Sequence, residues 1–117
     1  MNVTIYHNPK CSKSRKTLEL LLGKGIEPTI IEYLINPPDS QTLVSILKKL
    51  DATPRDLLRV KEPRYSELSL ANPALTPDDL IEAMVANPIL IERPIVVAGT
   101  RAVLGRPPNN INELSLE

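Results

Sequence analysis

The chain contains no phenylalanine, no tryptophan and only three tyrosines. Its core must therefore be built from leucine, isoleucine and valine, and the 42% hydrophobic content makes that feasible. There is one cysteine, which excludes an internal disulfide and a structural zinc site of four cysteines. With a single histidine as well, the usual metal-ligand clusters lack donors, and neither a metal nor a tightly bound cofactor is expected. Four glycines, none suitably clustered, leave out the P-loop and dinucleotide fingerprints. Charge of one sign is also missing. Fourteen Lys and Arg balance fourteen Asp and Glu, so a global basic footprint for nucleic acid is absent. No window approaches the roughly 20 apolar residues of a membrane span. Met1–Tyr6 lacks the longer apolar stretch of an export signal, so a cytoplasmic location is expected and the Asn2-Val3-Thr4 sequon reads as coincidence.

What is present fits one domain of 117 residues. Val3–Tyr6 alternates like a strand and meets the turn-forming His7-Asn8-Pro9. From Ser12 the period lengthens, with Leu18, Leu21 and Leu22 expected on one helical face and Gly23 and Gly25 as a stop. Pro28–Leu34 is a β-branched second strand. Asp39 or Ser40 can cap a helix burying Leu43, Ile46, Leu47 and Leu50. This βαβα opening predicts a parallel pair with a right-handed crossover. Between Pro54 and Asn87 the prolines mark two or three short helices, and Thr76-Pro77-Asp78-Asp79 is a strong helix start. Ile95–Val97, the Gly99-Thr100 turn and Ala102–Leu104 predict an antiparallel hairpin, followed by a short, weakly fixed helix. The expectation is an α/β fold with a mixed four-stranded sheet and a helical insertion over about 39–90.

Cys11 lies after a strand and a proline turn, at the start of a helix. Unsatisfied N–H groups and the positive helix end favour thiolate there. Between Met1 and Gly25, five cations (Lys10, Lys13, Arg15, Lys16 and Lys24) face Glu19 alone. The bland alternative is an inert cysteine beside a solvated basic face, but a polar Pro-Lys-Cys-Ser turn is not where buried cysteines lie. The phosphatase loop needs Arg six positions after the cysteine, where this chain has Thr17. A Cys-x-x-Cys motif fails at Ser14. If Cys11 reacts, a second thiol must come from another molecule. His7, four residues before Cys11, can assist the thiolate or simply bond the backbone at a strand end. Arg59, Arg93 and Arg106 sit in loops or near strand ends, where guanidinium suits bidentate oxyanion contacts and surface solvation is the default.

Taken together, Ile5–Arg15 (Ile-Tyr-His-Asn-Pro-Lys-Cys-Ser-Lys-Ser-Arg), Leu57–Arg59, Ile91–Val97 and Gly105-Arg106-Pro107 resemble the glutaredoxin-linked arsenate reductases, in order over essentially the whole chain. The resemblance implies a thioredoxin-like (glutaredoxin-like) fold and a nucleophilic Cys11. It implies that His7 and Ser14 lie near the thiolate, with Ser14 able to bond the sulfur, and that Asn8 shapes the turn. Pro94 matches the proline that is cis in such folds. Arg59, Arg93 and Arg106 match oxyanion-binding positions. The implied partners are arsenate or a similar oxyanion, glutathione as co-substrate and glutaredoxin as final thiol donor, with no nucleic acid and no membrane. Lys10 departs from the small residue of the better-known members. Two other readings stand beside it. An Spx-like RNA-polymerase-binding regulator shares the fold but typically needs the second cysteine that Ser14 replaces. A glutathione-dependent thiol transferase needs one cysteine but does not account for the arginines.

Overall fold

A computed structural model describes residues 2–114. They divide into two compact units, one running to Asn36 and resuming at Arg93, the other Pro37–Glu92.

The first unit holds strand β1 (Val3–His7), helix α1 (Ser12–Gly23), strand β2 (Thr29–Glu32) and the hairpin β3 (Ile95–Ala98) and β4 (Arg101–Leu104). The sheet order is β2-β1-β3-β4, with β1 parallel to β2 and antiparallel to β3. β3 and β4 pair antiparallel, and Gly99 at φ +63 supplies the positive φ of their two-residue connection. This is the mixed sheet of a thioredoxin-like fold. Strand alternation turns Val3, Ile5 and His7 inward. Val3 and Ile5 join Leu21, Val96, Ala98, Val103, Ile111 and Leu114 in one core. Burying an aliphatic side chain of this size contributes about 1.5–3 kcal/mol.

Three expectations need correction in this unit. The buried stripe of α1 is Ser14, Thr17 and Leu21, while Leu22 is 54% exposed. Leu22 is one residue, and so about 100° round the helix, from Leu21. Strand β2 stops at Glu32, which pairs with the last residue of β1; beyond it the N–H groups of Ile35 and Asn36 both bond Glu32 O at 2.9 Å. After β4 the chain forms a 3-10 helix, Pro108–Leu114, whose Ile111 and Leu114 belong to the core, so this segment is firmly packed. Residues 115–117 of the expected terminal helix lie outside the described residues.

The second unit contains α2 (Ser40–Leu50), α3 (Pro54–Leu57), α4 (Pro63–Glu67), α5 (Pro77–Ala86) and a 3-10 turn, Pro88–Leu90. Prolines open these short helices rather than merely separating them: Pro54, Pro63 and Pro77 all occupy first-turn positions, where a missing N–H costs nothing. Asp39 caps α2 by accepting from Thr42 N–H at 2.8 Å. Thr53 and Thr76 form full capping boxes with Asp56 and Asp79. Leu43, Ile46 and Leu47 are buried on α2, whereas Leu50, expected with them, is only half-buried. Segments 57–59 and 90–92 run antiparallel, with Arg59 N–H to Leu90 O and Glu92 N–H to Leu57 O both 2.8 Å. No helix among the described residues is long and apolar enough to cross a membrane.

Candidate active site

The loop from β1 to α1 is held by its own short bonds. Asn8 Oδ1 accepts from Lys10 N–H at 3.0 Å, and Asn8 O accepts from Cys11 N–H at 3.0 Å. Arg15 reaches back from α1 to donate to Pro9 O at 2.9 Å. Cys11 is therefore fixed as the N-cap residue of α1, with extended backbone (φ −96, ψ 123) and a half-exposed side chain. At an N-cap the side chain faces the unsatisfied donors of the first turn.

Burial alone pushes the Cys11 thiol up. The backbone N–H of Ser14, the charge of Arg93, the backbone N–H of Lys13 and a side-chain hydrogen bond from Arg93 outweigh it, and the thiol is held below its ordinary value. Charge-assisted donors favour the thiolate specifically, because the neutral thiol accepts weakly.

Beside this loop, His7 Nδ1 and Ser14 Oγ are 2.6 Å apart in the interior. Ser14 Oγ also accepts from Asn8 N–H at 3.0 Å. Burial lowers the His7 value most, Glu32 opposes it and Arg15 adds to the lowering. A neutral ring can take the Ser14 hydroxyl proton at Nδ1, which leaves the Ser14 oxygen oriented to Asn8. The Ser14 hydroxyl thus serves His7 and the loop, and it is the Ser14 backbone N–H that helps to favour the thiolate.

The expected arginines divide. Arg93 touches the sulfur and precedes the buried, cis Pro94. Gly105 N–H donates to Pro94 O at 2.9 Å, which brings the residue before Arg106 to the same turn. Asn110 Nδ2 fastens that turn through Leu104 O (3.0 Å) and Arg106 O (3.3 Å). Arg59 belongs to the second unit. Its guanidinium lies 3.3 Å from Glu62, 3.9 Å from Glu92 and donates to Ile89 O at 3.3 Å.

Two residues passed over as chemistry also stand here. Thr17 is fully buried and donates to Lys13 O at 2.8 Å and toward Gly105 O at 3.3 Å. The signal was a hydroxyl sharing a helical face with Ser14 and Leu21, together with one of only four glycines in front of Arg106.

The ArsC family profile matches residues 6–114, a span that includes every residue of this site. The chain belongs to the ArsC family. Among its relatives are an uncharacterized protein of Escherichia coli K12, YfgD, and an arsenate reductase of Neisseria meningitidis. YfgD is 52% identical over 113 residues, which cover 96% of this chain and 95% of that protein. The Neisseria protein is 47% identical over 110 residues, covering 93% and 94%. A solved structure of an arsenate reductase from Vibrio cholerae is 47% identical and superposes with a TM-score of 0.95 over 97% of each chain. Near-complete coverage on both sides makes the ArsC likeness one of whole chains, and it extends from the Cys11 loop to the turn after β4.

Proposed function

We propose that this ArsC protein is an arsenate reductase that uses glutathione and glutaredoxin. The observation that carries the reading is Cys11 at the N-cap of α1, where the Ser14 and Lys13 backbone N–H groups and Arg93 hold its thiol below the ordinary value. A thiolate in that setting is a nucleophile, and the donors around it suit an incoming oxyanion. The thiolate attacks arsenic(V) and expels an oxygen as water, giving a covalent thiol–arsenate. The glutathione sulfur then attacks arsenic and displaces a second oxygen as water. The glutaredoxin thiolate attacks that sulfur, and the S–As bond breaks with its electron pair left on arsenic. Water cleaves the remaining bond from Cys11 to arsenic to release arsenite. Two external thiols end as a disulfide, arsenic(V) becomes arsenic(III), and Cys11 returns as a thiol. Because the chain has one cysteine, it cannot close this cycle alone.

In this reading Arg93 and Arg106 hold the oxyanion, while Arg59, in the second unit, is held by Glu62 and Glu92. His7, Ser14 and Asn8 keep the loop in the shape that aims the sulfur. Nothing in the cycle calls for a bound cofactor, and a cytoplasmic location fits its glutathione supply.

The test couples arsenate reduction to glutathione, glutaredoxin and NADPH oxidation. Wild type should turn over and Cys11→Ser should not. Equal rates for the two, with both folded, would refute the assignment.

A further inference from the structure

Helix α1 turns two hydroxyls into the interior where an amphipathic helix would place aliphatic carbon. The Ser14 hydroxyl is engaged by His7 and Asn8. Thr17, 0% exposed, has a different neighbour. Its hydroxyl lies 3.3 Å from the carbonyl of Gly105, a residue 88 positions along the chain. Gly105 in turn donates its N–H to Pro94 O. The fit is close: a Cβ on residue 105 would stand 2.5 Å from Thr17 Oγ1, 2.9 Å from Thr17 Cγ2 and 2.8 Å from Pro94 Cγ. Three segments therefore meet at one point with no space for another carbon. They are the helix that begins at Cys11, the turn that carries Arg93, and the end of β4 that leads into Arg106.

We propose that Thr17 and Gly105 form a spacing contact that sets the distance between the Cys11 sulfur and Arg93. Thr17 is a positioning residue in this scheme, acting through Arg93. It lies under two helical turns below the nucleophile, roughly 9 Å at 1.5 Å per residue. On the other side, Gly105 grips Pro94, the next residue after Arg93. Movement at the contact passes to both partners through short, rigid segments. The attraction between a guanidinium and a thiolate varies inversely with their separation, so a small displacement alters how well the thiolate is favoured. The proposal rests on the reading of Cys11 as the nucleophile. The competing account is that Thr17 simply satisfies its hydroxyl on Lys13 O, one turn back, as buried helical threonines do.

Alkylation of Cys11 by iodoacetamide across pH separates the two accounts, and the single cysteine makes the signal unambiguous. The sulfur is faced by Arg93, and the nearby His7 ring by Glu32 and Arg15, so these are the charges that shape the profile. Thr17→Val keeps the shape and removes the hydroxyl. Its profile should move up by about half a pH unit, slowing alkylation near neutrality about threefold. Thr17→Ser, which keeps the hydroxyl, should follow wild type. In an Arg93→Ala background Thr17→Val should add nothing, since the group through which it acts is gone. A folded Thr17→Val with a wild-type profile overturns the proposal. So does an equal shift in the Arg93→Ala background, or a Thr17→Ser profile that departs from wild type. If Thr17→Val does not fold, Thr17→Ala is measured in its place, with the same expectation. Iodoacetamide contains no arsenic, so normal alkylation with absent arsenate turnover counts against the substrate and not against the spacing contact.

Discussion

Among single residues, His7 shows how a buried ring ties stability to pH. Its ring is almost wholly enclosed, and burial lowers its proton affinity below the ordinary 6.5. As pH falls past that value the unfolded chain takes up the proton first. The contribution to stability is present above about 6.5 and is lost as pH drops through the lowered folded-state value. Thermal melting should therefore fall between pH 7.5 and 5.5, and His7→Asn should flatten that slope. An unchanged slope in the variant would show that other groups govern the acid limb. The ring and the thiol were both legible from their place around a proline turn. The true job of the Ser14 hydroxyl was not, because only the folded loop reveals that Asn8 N–H competes for it. Arg59 raises the same difficulty: sequence marks a cation, but the two carboxylates that hold it come from Glu62, three residues on, and from Glu92, far along the chain.

Short elements depend on their ends. Helices α3 and α4 span four and five residues, too few to be stable on hydrogen bonding alone. Their beginnings compensate, with proline in the first turn of each and a capping box on α3. α5 shares this construction, and its Thr76 hydroxyl accepts from Asp79 N–H at 3.1 Å. Thr76→Ala should cost about 1 kcal/mol. Urea unfolding should show a lower midpoint with an unchanged slope, and an unmoved midpoint would mean the box is idle. These starts were readable because capping is local chemistry. The inward face of α1 differs from the leucine stripe that hydrophobicity alone predicts, because two hydroxyls share it. Serine and threonine at i and i+3 lie on the same side as Leu21, and partners distant in sequence make their burial tolerable. The end of β2 depends on where β1 stops, which no local pattern records.

For the molecule as a whole, zero net charge gives no overall attraction for anions, so any such attraction must arise from local clusters. Lys10, Lys13, Arg15 and Lys16 crowd the first turns beside Cys11 and are exposed. Their influence reaches only about 10 Å at 0.1 M salt. Anionic iodoacetate should therefore lose about two- to threefold in rate as salt is raised from low to high, while neutral iodoacetamide holds steady. Parallel behaviour of the two reagents would show that the basic stretch does not act on approaching anions. The mixed sheet was legible because turn-forming residues separate its β-branched runs, even though the end of β2 is not marked locally. The first unit is interrupted by Pro37–Glu92, where the helical insertion is expected over about 39–90, and it closes only when Arg93 and the hairpin return.

That interruption has a consequence during synthesis. On the ribosome β1, α1 and β2 emerge first, and the side of β1 that β3 will occupy has no partner until Ile95–Ala98 is made. The Pro37–Glu92 unit is contiguous, so all its residues are translated before that happens. Cys11 is in place from the start, but the guanidinium that favours its thiolate is encoded near the other end. A nascent chain thus carries its thiol without the contribution of Arg93 through most of its translation, and the set of groups that favours the thiolate is completed only late.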